Sequence, residues 1–282
     1  MFVHENLSAL RQDILTMRQR DPRPIALVPT MGALHDGHFS LVRSAIEDGC
    51  QCIATIFINP TQFAAHEDMN RYPVRLETDL SVLEGLGIQG VWTPSVQTMY
   101  PGDDLTRVQV RGSLTSMWEG AHRPHFFTGV ATVVTKLLIG TMPDRAYFGE
   151  KDFQQLKVVK ALCHDLLLPM QIIGCPTIRE PDGLAMSSRN AYLSNEERMQ
   201  APELYKTMQM VSTDIRAGRP IAQAQSDGYH RLLQTGFNSV GYFSAVRSDD
   251  LSTLPTFNPE IDSRLIAAAN LGNTRLIDNI SI

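Results

Sequence analysis

Two histidines lie in a short segment whose glycines and position suit it to bind an anion. The segment runs from Pro29 to His38 and reads PTMGALHDGH. His35 and His38 can each donate a ring N–H to a phosphate oxygen, and such a bond strengthens as charge develops on a phosphorus atom under attack. Gly32 and Gly37 let backbone N–H groups approach a ligand closely. The segment therefore predicts binding of a phosphate group.

The position of this segment in the chain favours the functional interpretation. An isolated His-x-Gly-His motif is about as often a helix cap beside a solvent-facing histidine. Here the apolar run from Ile25 to Val28 precedes the motif with the length of a buried strand, and Leu41 to Ile46 follow with helical spacing. A helix that begins directly after a parallel strand attracts anions through its unpaired N–H groups and its dipole. We therefore expect both histidines at a strand-to-helix turn.

Two further segments have the composition of phosphate-binding turns. Gly149-Glu150-Lys151-Asp152 follows a predicted strand that ends at Phe148. Lys151 brings a mobile positive charge, and Asp152 is a candidate helix N-cap. Residues 186–189, with the sequence Met-Ser-Ser-Arg, combine two hydroxyl groups with a guanidinium, a set that suits a polyphosphate. Taken alone, each segment is an ordinary polar turn.

The elements around these segments alternate between helices and strands. Helices are predicted at residues 7–20, from Gly37 to Ile46, at 76–86, 128–141 and 153–167, and strands at 25–28, 52–58, around 91, and at 146–148 and 171–174. This alternation predicts an α/β fold: a doubly wound, mainly parallel, Rossmann-like sheet with helices on both faces. Ligands bind such sheets beyond the carboxyl ends of the strands.

The alternation ends near Pro176, which predicts a domain boundary. Residues 1–176 are expected to form a Rossmann-like domain, and residues 177–282 a smaller α+β domain. The second domain is predicted to contain helices at 195–217 and 221–236 and strands at 242–246 and 265–269.

Composition excludes several classes of protein. The 282 residues are 43% hydrophobic and 20% charged, which is typical of a folded, soluble chain. A formal net charge of -5 argues against a nucleic-acid partner. The four cysteines lack the CxxC spacing of zinc or redox sites, and no signal sequence or membrane-spanning apolar run is visible. The expected location is the cytoplasm, with no membrane partner.

Five segments, in order, resemble the pantothenate synthetase family, within the class I nucleotidyltransferases that attack the α-phosphate of ATP. They read PTMGALHDGH (29–38), IFINPTQF (56–63), FGEKDFQQ (148–155), DGLAMSSRN (182–190) and LGNTRLIDN (271–279). The family often has Arg-Pro-Gly-His-Phe before its long helix, where this sequence has Arg-Pro-His-Phe-Phe at 123–127. Because of this departure, the resemblance assigns no role to Arg123 or His125.

The resemblance implies that the first domain binds the nucleotide and pantoate and that the second acts as a lid. It also implies roles for individual residues. His35, His38 and Lys151 would be catalytic, and Gln62 and Gln155 would bind pantoate, with Gln62 also contacting β-alanine. A neutral amide suits a hydroxy acid because it donates and accepts without adding a charge that opposes attack. Asp79 is a candidate for an outer contact with magnesium. The implied ATP-binding residues are Met31, Gly32, Ala33, Leu34, His35, Asp36, Gly37, His38, Gly149, Glu150, Lys151, Asp152, Ile178, Met186, Ser187, Ser188 and Arg189.

The family reaction has two steps. The pantoate carboxylate attacks the α-phosphorus of ATP and releases pyrophosphate, and the amine of β-alanine then attacks the bound pantoyl adenylate, giving pantothenate and AMP. The resemblance thus implies an AMP-forming ligase with pantoate, β-alanine and ATP as substrates. It also implies Mg²⁺, bound mainly through the nucleotide, and a homodimer.

Two other functions remain open from the sequence. A nucleotidyltransferase of the same fold could move AMP onto a phosphorylated vitamin, although it would need extra cationic groups for the second phosphate. A nucleotide sensor without turnover is the other alternative. Loss of His38 or Lys151 would favour the sensor, and both residues are present.

Overall fold

The computed structural model of the chain describes residues 1–64, 68–102 and 104–282, and of residues 68 and 70 only the backbone. The described chain forms two compact units. The first consists of Met1–Val110, Arg123–Glu150 and Val158–Pro176, and the second of Arg111–His122, Lys151–Lys157 and Thr177–Ile282. One boundary between the units lies between Pro176 and Thr177. No compositional signal marked the two earlier segments that belong to the second unit.

The described residues contain helices and strands in the following order. The strands are β1 (Phe2–His4), β2 (Ile25–Thr30), β3 (Gln51–Ile56), β4 (Gly90–Trp92), β5 (Arg145–Gly149), β6 (Gln171–Cys175), β7 (Ser239–Arg247), β8 (Ser263–Leu271) and β9 (Thr274–Ser281). The helices are α1 (Leu7–Arg20), α2 (Asp36–Glu47), α3 (Leu76–Gly85), α4 (Val96–Met99), α5 (Ser113–Ser116), α6 (Glu119–His122), α7 (Phe126–Thr141), α8 (Phe153–Asp165), α9 (Asn195–Gln200), α10 (Glu203–Arg216) and α11 (Ile221–Gln234). Short 3-10 turns cover Pro60–Gln62, Asp68–Arg71, Glu150–Asp152 and Ser188–Tyr192. None of these helices is long and apolar enough to cross a membrane.

The sheet of the first unit is parallel throughout, with the order β1-β4-β3-β2-β5-β6. From β2 the chain adds β3 and β4 on one side, and then β5 and β6 on the other. The direction of strand addition therefore reverses between β2 and β5, where ligands bind in doubly wound sheets. The predicted fold class is confirmed, and β1, which was not predicted, adds an edge strand.

Buried apolar runs explain the centre of this sheet. Every residue from Ile25 to Val28 is fully buried, as expected for a parallel strand covered on both faces. Leu41, Val42 and Ala45 place one face of α2 in the same core. Helix α1 starts after Asn6, whose side chain accepts a hydrogen bond from Ser8 N at 2.8 Å. Sequence periodicity was sufficient to predict all of these elements.

The second unit has a three-stranded antiparallel sheet in the order β7-β8-β9. The core residues Leu204, Met208 and Ile215 of α10 and Leu232 of α11 pack with it. The single helix predicted at 195–217 is wrong, because α9 and α10 are separate. Pro202 lies between them and has no N–H to continue the helical bonding. Strand β9 was not predicted as a strand, although its residues belong to the LGNTRLIDN motif.

Candidate functional site

The turn between β2 and α2 requires glycine at position 32. Gly32 has φ of 85°, in the left-handed region that favours glycine. A Cβ on this residue would lie 3.2 Å from Asp79 Oδ2 and 3.2 Å from Ile56 Cγ2. Both the backbone conformation and the close packing therefore exclude a side chain. The turn that begins at Met31 lies at the carboxyl edge of the sheet, as the sequence predicts.

A buried carboxylate holds the next two residues of this turn. Asp79 of α3 is 3% exposed, and its two oxygens accept from Ala33 N at 2.8 Å and Leu34 N at 3.0 Å. Ala33 has φ of 51°, a conformation that L-residues adopt only where their surroundings fix it. Asp79 therefore positions the turn backbone. Its predicted outer contact with magnesium stays a prediction.

The two histidines are oriented by the first turn of α2. His35 is the N-cap residue, and its Nδ1 accepts from Gly37 N at 3.2 Å. His38 Nδ1 lies 3.3 Å from His35 N and accepts from it, and the two ring centroids are 4.1 Å apart. Because backbone N–H groups can only donate, both Nδ1 atoms are acceptors, and a neutral ring carries its proton on Nε2. Each imidazole therefore has Nε2–H as its donor.

Gln62 lies in the 3-10 turn Pro60–Gln62 that follows β3, beside the β2–α2 turn. Its Nε2 is 2.7 Å from Met31 Sδ, and its Oε1 accepts from Asn59 Nδ2 at 3.2 Å. The structure thus brings together Met31 and Gln62, two predicted binding residues, and adds Asn59. Asn59 was not predicted, although the IFINPTQF motif contains it directly after a strand.

Other predicted residues of the first unit lie at the same sheet edge. Gly149 ends β5, which is the parallel neighbour of β2, and Glu150 directly follows it. Asp36 is exposed in the first turn of α2. Carboxyl ends of adjacent parallel strands share one edge, so these residues are close to the β2–α2 turn in the sheet topology.

Arg123 and His125, where the sequence departs from the family pattern, differ in their contacts. The Arg123 guanidinium lies 3.8 Å from the ring centroid of Phe126 and donates to Gln62 O at 3.1 Å. His125 is at the N-cap position of α7, where its side chain makes no capping hydrogen bond. Arg123 therefore supports the Gln62 turn in this chain.

In the second unit, Lys151 is held through its backbone. Its carbonyl accepts from Asn279 Nδ2 at 3.0 Å, and Asn279 Oδ1 accepts from Arg264 Nη1 at 2.6 Å. The Lys151 ammonium is 3.9 Å from Asp152 Oδ2, and its side chain is 20% exposed. Asp152 directly precedes α8, and Gln155, partly exposed, is in the first turn of that helix. Strand β9 thus supplies a residue that fixes the predicted phosphate-binding lysine.

Strand β9 also holds the segment that leads to the predicted phosphate-binding loop. Arg179 donates to both oxygens of Asp278, at 2.6 and 2.9 Å, and stacks 3.7 Å from the Tyr205 ring centroid. Burial raises the pKa of the Asp278 carboxyl, and the Arg179 guanidinium opposes that shift. Sequence analysis assigned no role to these residues, although Asp278 and Asn279 both lie in the tail motif.

The loop itself is organised by short hydrogen bonds. Met186 N donates to Ile178 O at 3.0 Å, next to a bridge between Arg179 and Ala185, so two predicted ATP-binding residues are neighbours. Ser187 Oγ accepts from Arg189 N at 3.3 Å and caps the 3-10 turn that contains Ser188. The hydroxyl and guanidinium groups of residues 187–189 therefore belong to one compact turn.

The chain matches the sequence model of the pantoate-beta-alanine ligase family over residues 2–281. A pantothenate synthetase of Nitrobacter winogradskyi is 47% identical over 276 residues, covering 98% of this chain and 96% of the relative. One from Rhizorhabdus wittichii is 46% identical over 282 residues, covering 100% and 99%.

Solved structures agree with the sequence comparison. Pantothenate synthetase from Thermus thermophilus superposes with a TM-score of 0.92 at 41% identity, covering 99% of each chain. Pantoate-beta-alanine ligase from Francisella tularensis, complexed with beta-gamma ATP and beta-alanine, gives a TM-score of 0.84 at 32% identity and covers 100% of this chain and 97% of that one. The agreement extends over the full described fold.

Proposed function

Because the chain belongs to the pantoate-beta-alanine ligase family, we propose that it condenses pantoate with β-alanine at the expense of ATP, giving pantothenate, AMP and pyrophosphate. The observation that carries the chemistry is the pair of imidazoles at the N-terminus of α2, both accepting backbone N–H bonds at Nδ1. In each neutral ring the donor is then Nε2–H. Such donors suit phosphate oxygens.

The first step forms a bond between a pantoate carboxylate oxygen and the α-phosphorus of ATP, while the bond from that phosphorus to the bridging oxygen breaks and pyrophosphate leaves. His35 and His38 are proposed to donate to the phosphate oxygens as negative charge increases in the transition state. The N–H groups and dipole at the start of α2 act in the same direction. No protein nucleophile is required.

In the second step the uncharged amine of β-alanine attacks the carbonyl carbon of the pantoyl adenylate. The carbon–oxygen bond to the phosphate breaks, AMP leaves, and the amine nitrogen loses a proton. Here the protein contributes by orienting the two reactants and by excluding water from the mixed anhydride. Gln62, at the β3 end of the first unit, is the proposed contact for pantoate and β-alanine.

Residues of the second unit are proposed to act on the same substrates, each by its own chemistry. Lys151 supplies a positive charge for a phosphate, and Ser187, Ser188 and Arg189 supply hydroxyl and guanidinium donors. Gln155 is the second proposed pantoate residue. Asp152, Ile178 and Met186 of this unit, and Gly149 and Glu150 of the first unit, also belong to the proposed ATP-binding set.

Magnesium, dimerisation and location belong to the same proposal. ATP oxygens and water are the hard ligands that Mg²⁺ prefers, so the ion is proposed to arrive with the nucleotide and to neutralise phosphate charge. The Asp79 oxygens already accept from two backbone N–H groups, so we assign this residue to positioning the turn. Family membership supports a cytoplasmic homodimer, and sedimentation at micromolar protein concentration tests it against the 31.4 kDa monomer.

A product assay tests the proposed function. With ATP, Mg²⁺, pantoate and β-alanine, the chain should form pantothenate, AMP and pyrophosphate in equal amounts, and omission of either acid should stop pantothenate formation. Pyrophosphate release that required a phosphorylated acceptor would identify a different nucleotidyltransferase. ATP binding without any turnover would identify a sensor.

A further inference from the structure

The buried amide of Asn59 has an orientation that its backbone neighbours determine. Asn59 is the N-cap of the 3-10 turn Pro60–Gln62 that follows β3, and it is 1% exposed. Its Oδ1 faces Thr61 N at 3.3 Å, and its Nδ2 faces Gly129 O at 3.3 Å. A backbone N–H can only donate and a backbone carbonyl can only accept, so the oxygen and nitrogen of this amide cannot be exchanged.

The fixed orientation of Asn59 determines that of Gln62. Asn59 Nδ2 also lies 3.2 Å from the end of the Gln62 side chain, and because it donates, the Gln62 atom that faces it must be the oxygen, Oε1. The Gln62 NH2 group is then at the other end of the amide, 2.7 Å from Met31 Sδ, a weak acceptor. Gln62 therefore presents its NH2 group as a donor, whereas its oxygen already accepts a hydrogen bond from Asn59.

Tyr100 extends this hydrogen-bonded chain by contacting the oxygen end of the Asn59 amide. Its hydroxyl donates to Asn59 Oδ1 at 2.7 Å, and Thr61 Oγ1 donates to the same oxygen at 2.9 Å. Lys136 Nζ lies 4.3 Å from the centroid of the Tyr100 ring and donates to Met99 O at 2.6 Å, which holds the ring. Burial raises the pKa of the Tyr100 phenol, so the group keeps its proton at neutral pH and remains a donor.

We propose that Tyr100 is a positioning residue for the acid substrate: through Asn59 it holds the Gln62 amide with its NH2 group as the donor to an oxygen of that acid. The inference rests on the proposed function, because it takes Gln62 as the contact for pantoate. It adds a polarity to that contact: Gln62 donates the hydrogen bond, and the acid accepts it. An anionic or hydroxyl oxygen fits opposite Gln62, whereas a group that can only donate does not.

Two substitutions of Gln62 test this polarity. In Gln62→Glu one oxygen still accepts from Asn59, and the other turns an acceptor towards the acid. Gln62→Met has a similar length and no strong donor or acceptor. We expect the apparent KM for pantoate to rise roughly tenfold or more in Gln62→Glu and by a smaller factor in Gln62→Met, since the first adds repulsion to the lost bond. The Kd for ATP should stay within about twofold in both.

The opposite order, with Gln62→Met more impaired than Gln62→Glu, would overturn the proposed polarity. The unmodified chain is assayed first. Failure of that chain to form pantothenate would refute the proposed function, whereas an active chain with the opposite order would refute only the polarity. Melting temperatures of both variants identify any loss of folding, and Gln62 is partly exposed, so neither change buries a new charge deeply.

Tyr100→Phe tests the positioning role with the loss of a single hydroxyl. The ring and its contact with Lys136 remain, and Asn59 Oδ1 loses one donor. We expect the KM for pantoate to rise roughly fivefold, as for loss of about 1 kcal/mol, with kcat changed less than KM. The matched control is Tyr229→Phe on α11, whose ring is 38% exposed and which should leave both constants unchanged. A pantoate KM in Tyr100→Phe equal to that of the control would overturn this part of the proposal.

Discussion

The segments predicted to bind phosphate are held in different ways. The turn between β2 and α2 is fixed chiefly by the carboxylate of Asp79 in α3, 45 and 46 positions away from its two partners. Lys151 and the segment around Arg179 are instead held by Asn279 and Asp278 of β9, 128 and 99 positions away. The β2–α2 turn, at the edge of a parallel sheet, depends on one buried carboxylate of a helix, whereas Lys151 and the segment around Arg179 depend on two adjacent side chains of a distant strand.

This difference determines what can be inferred from sequence. A turn at the carboxyl end of a buried parallel strand is expected from strand and helix patterns alone. A lysine whose backbone is held by an asparagine 128 positions later has no local signal. The second arrangement is therefore the one that mutation can test most sharply.

The largest effect is expected for Asp278→Ala. The change leaves the partly buried Arg179 guanidinium without its carboxylate partner, so the free energy of unfolding should fall by about 3–5 kcal/mol. Urea unfolding measures the loss. If the variant unfolds at the same urea concentration as the unmodified chain, β9 does not hold this segment.

Asp249→Ala is the matched control, because Asp249 pairs with Arg247 at 2.7 Å on the surface. Such exposed pairs contribute about 0–1 kcal/mol. Arg247 lowers the pKa of the Asp249 carboxyl to about 2. The small stabilisation is therefore present above the ordinary pKa of an aspartate and is lost as the pH falls towards 2. An equal loss of stability in both variants at neutral pH would remove the distinction between the buried and the exposed pair.

His38→Ala should lower turnover by roughly a hundredfold, the effect typical of removing one donor to the transition state. The Nδ1 bond from His35 N is lost as well, so the melting temperature is measured beside turnover. His164→Ala is the control, since that side chain is 88% exposed. Near-normal turnover in a folded His38→Ala variant would remove this residue from the mechanism.

Asp79→Asn should lower turnover roughly tenfold by displacing the β2–α2 turn. The new NH2 group faces one of the two backbone N–H groups that donate to the carboxylate. Because two donors then oppose each other, the turn must shift. Glu77→Gln, an exposed change on the same helix, should leave turnover unchanged. A similar small effect for the two variants would mean that the turn keeps its conformation without Asp79.

Asn279→Asp should have the smallest effect of the series. An oxygen replaces the NH2 group that donates to Lys151 O, so the KM for ATP should rise roughly fivefold, as for loss of about 1 kcal/mol. The KM for pantoate should change little. The control is Asn270→Asp on β8, whose side chain bonds Ser239 Oγ at 2.9 Å. An equal rise in both variants would assign the effect to general loss of stability.

Much of the fold was predictable because its signals are local. The apolar run at 25–28, the helical spacing of Leu41, Val42 and Ala45, and the glycines of the turn all lie within one stretch of sequence. One error arose where pairing with a distant strand decides the structure, and the other overlooked a local signal. Strand β9 was missed, and the helix predicted at 195–217 did not account for the effect of Pro202.

The candidate site divides in the same way. Both histidines could be placed at a strand-to-helix turn from the sequence, but their common use of Nδ1 as an acceptor depends on backbone N–H groups that only the fold brings into position. Asn59 and Tyr100 are 41 positions apart, and their hydrogen bond has no periodicity that a sequence pattern could reveal. The resemblance to the family's tail motif singled out Asp278 and Asn279, but it did not reveal which residues their side chains hold.

Isotope exchange between pyrophosphate and ATP tests the central claim most directly. If the chain adenylates pantoate as a complete and reversible half-reaction, labelled pyrophosphate should enter ATP when pantoate is present and β-alanine is absent. Omission of pantoate should abolish the exchange, and His38→Ala should slow it in parallel with turnover. Exchange that strictly required β-alanine, or that proceeded without pantoate, would contradict the account.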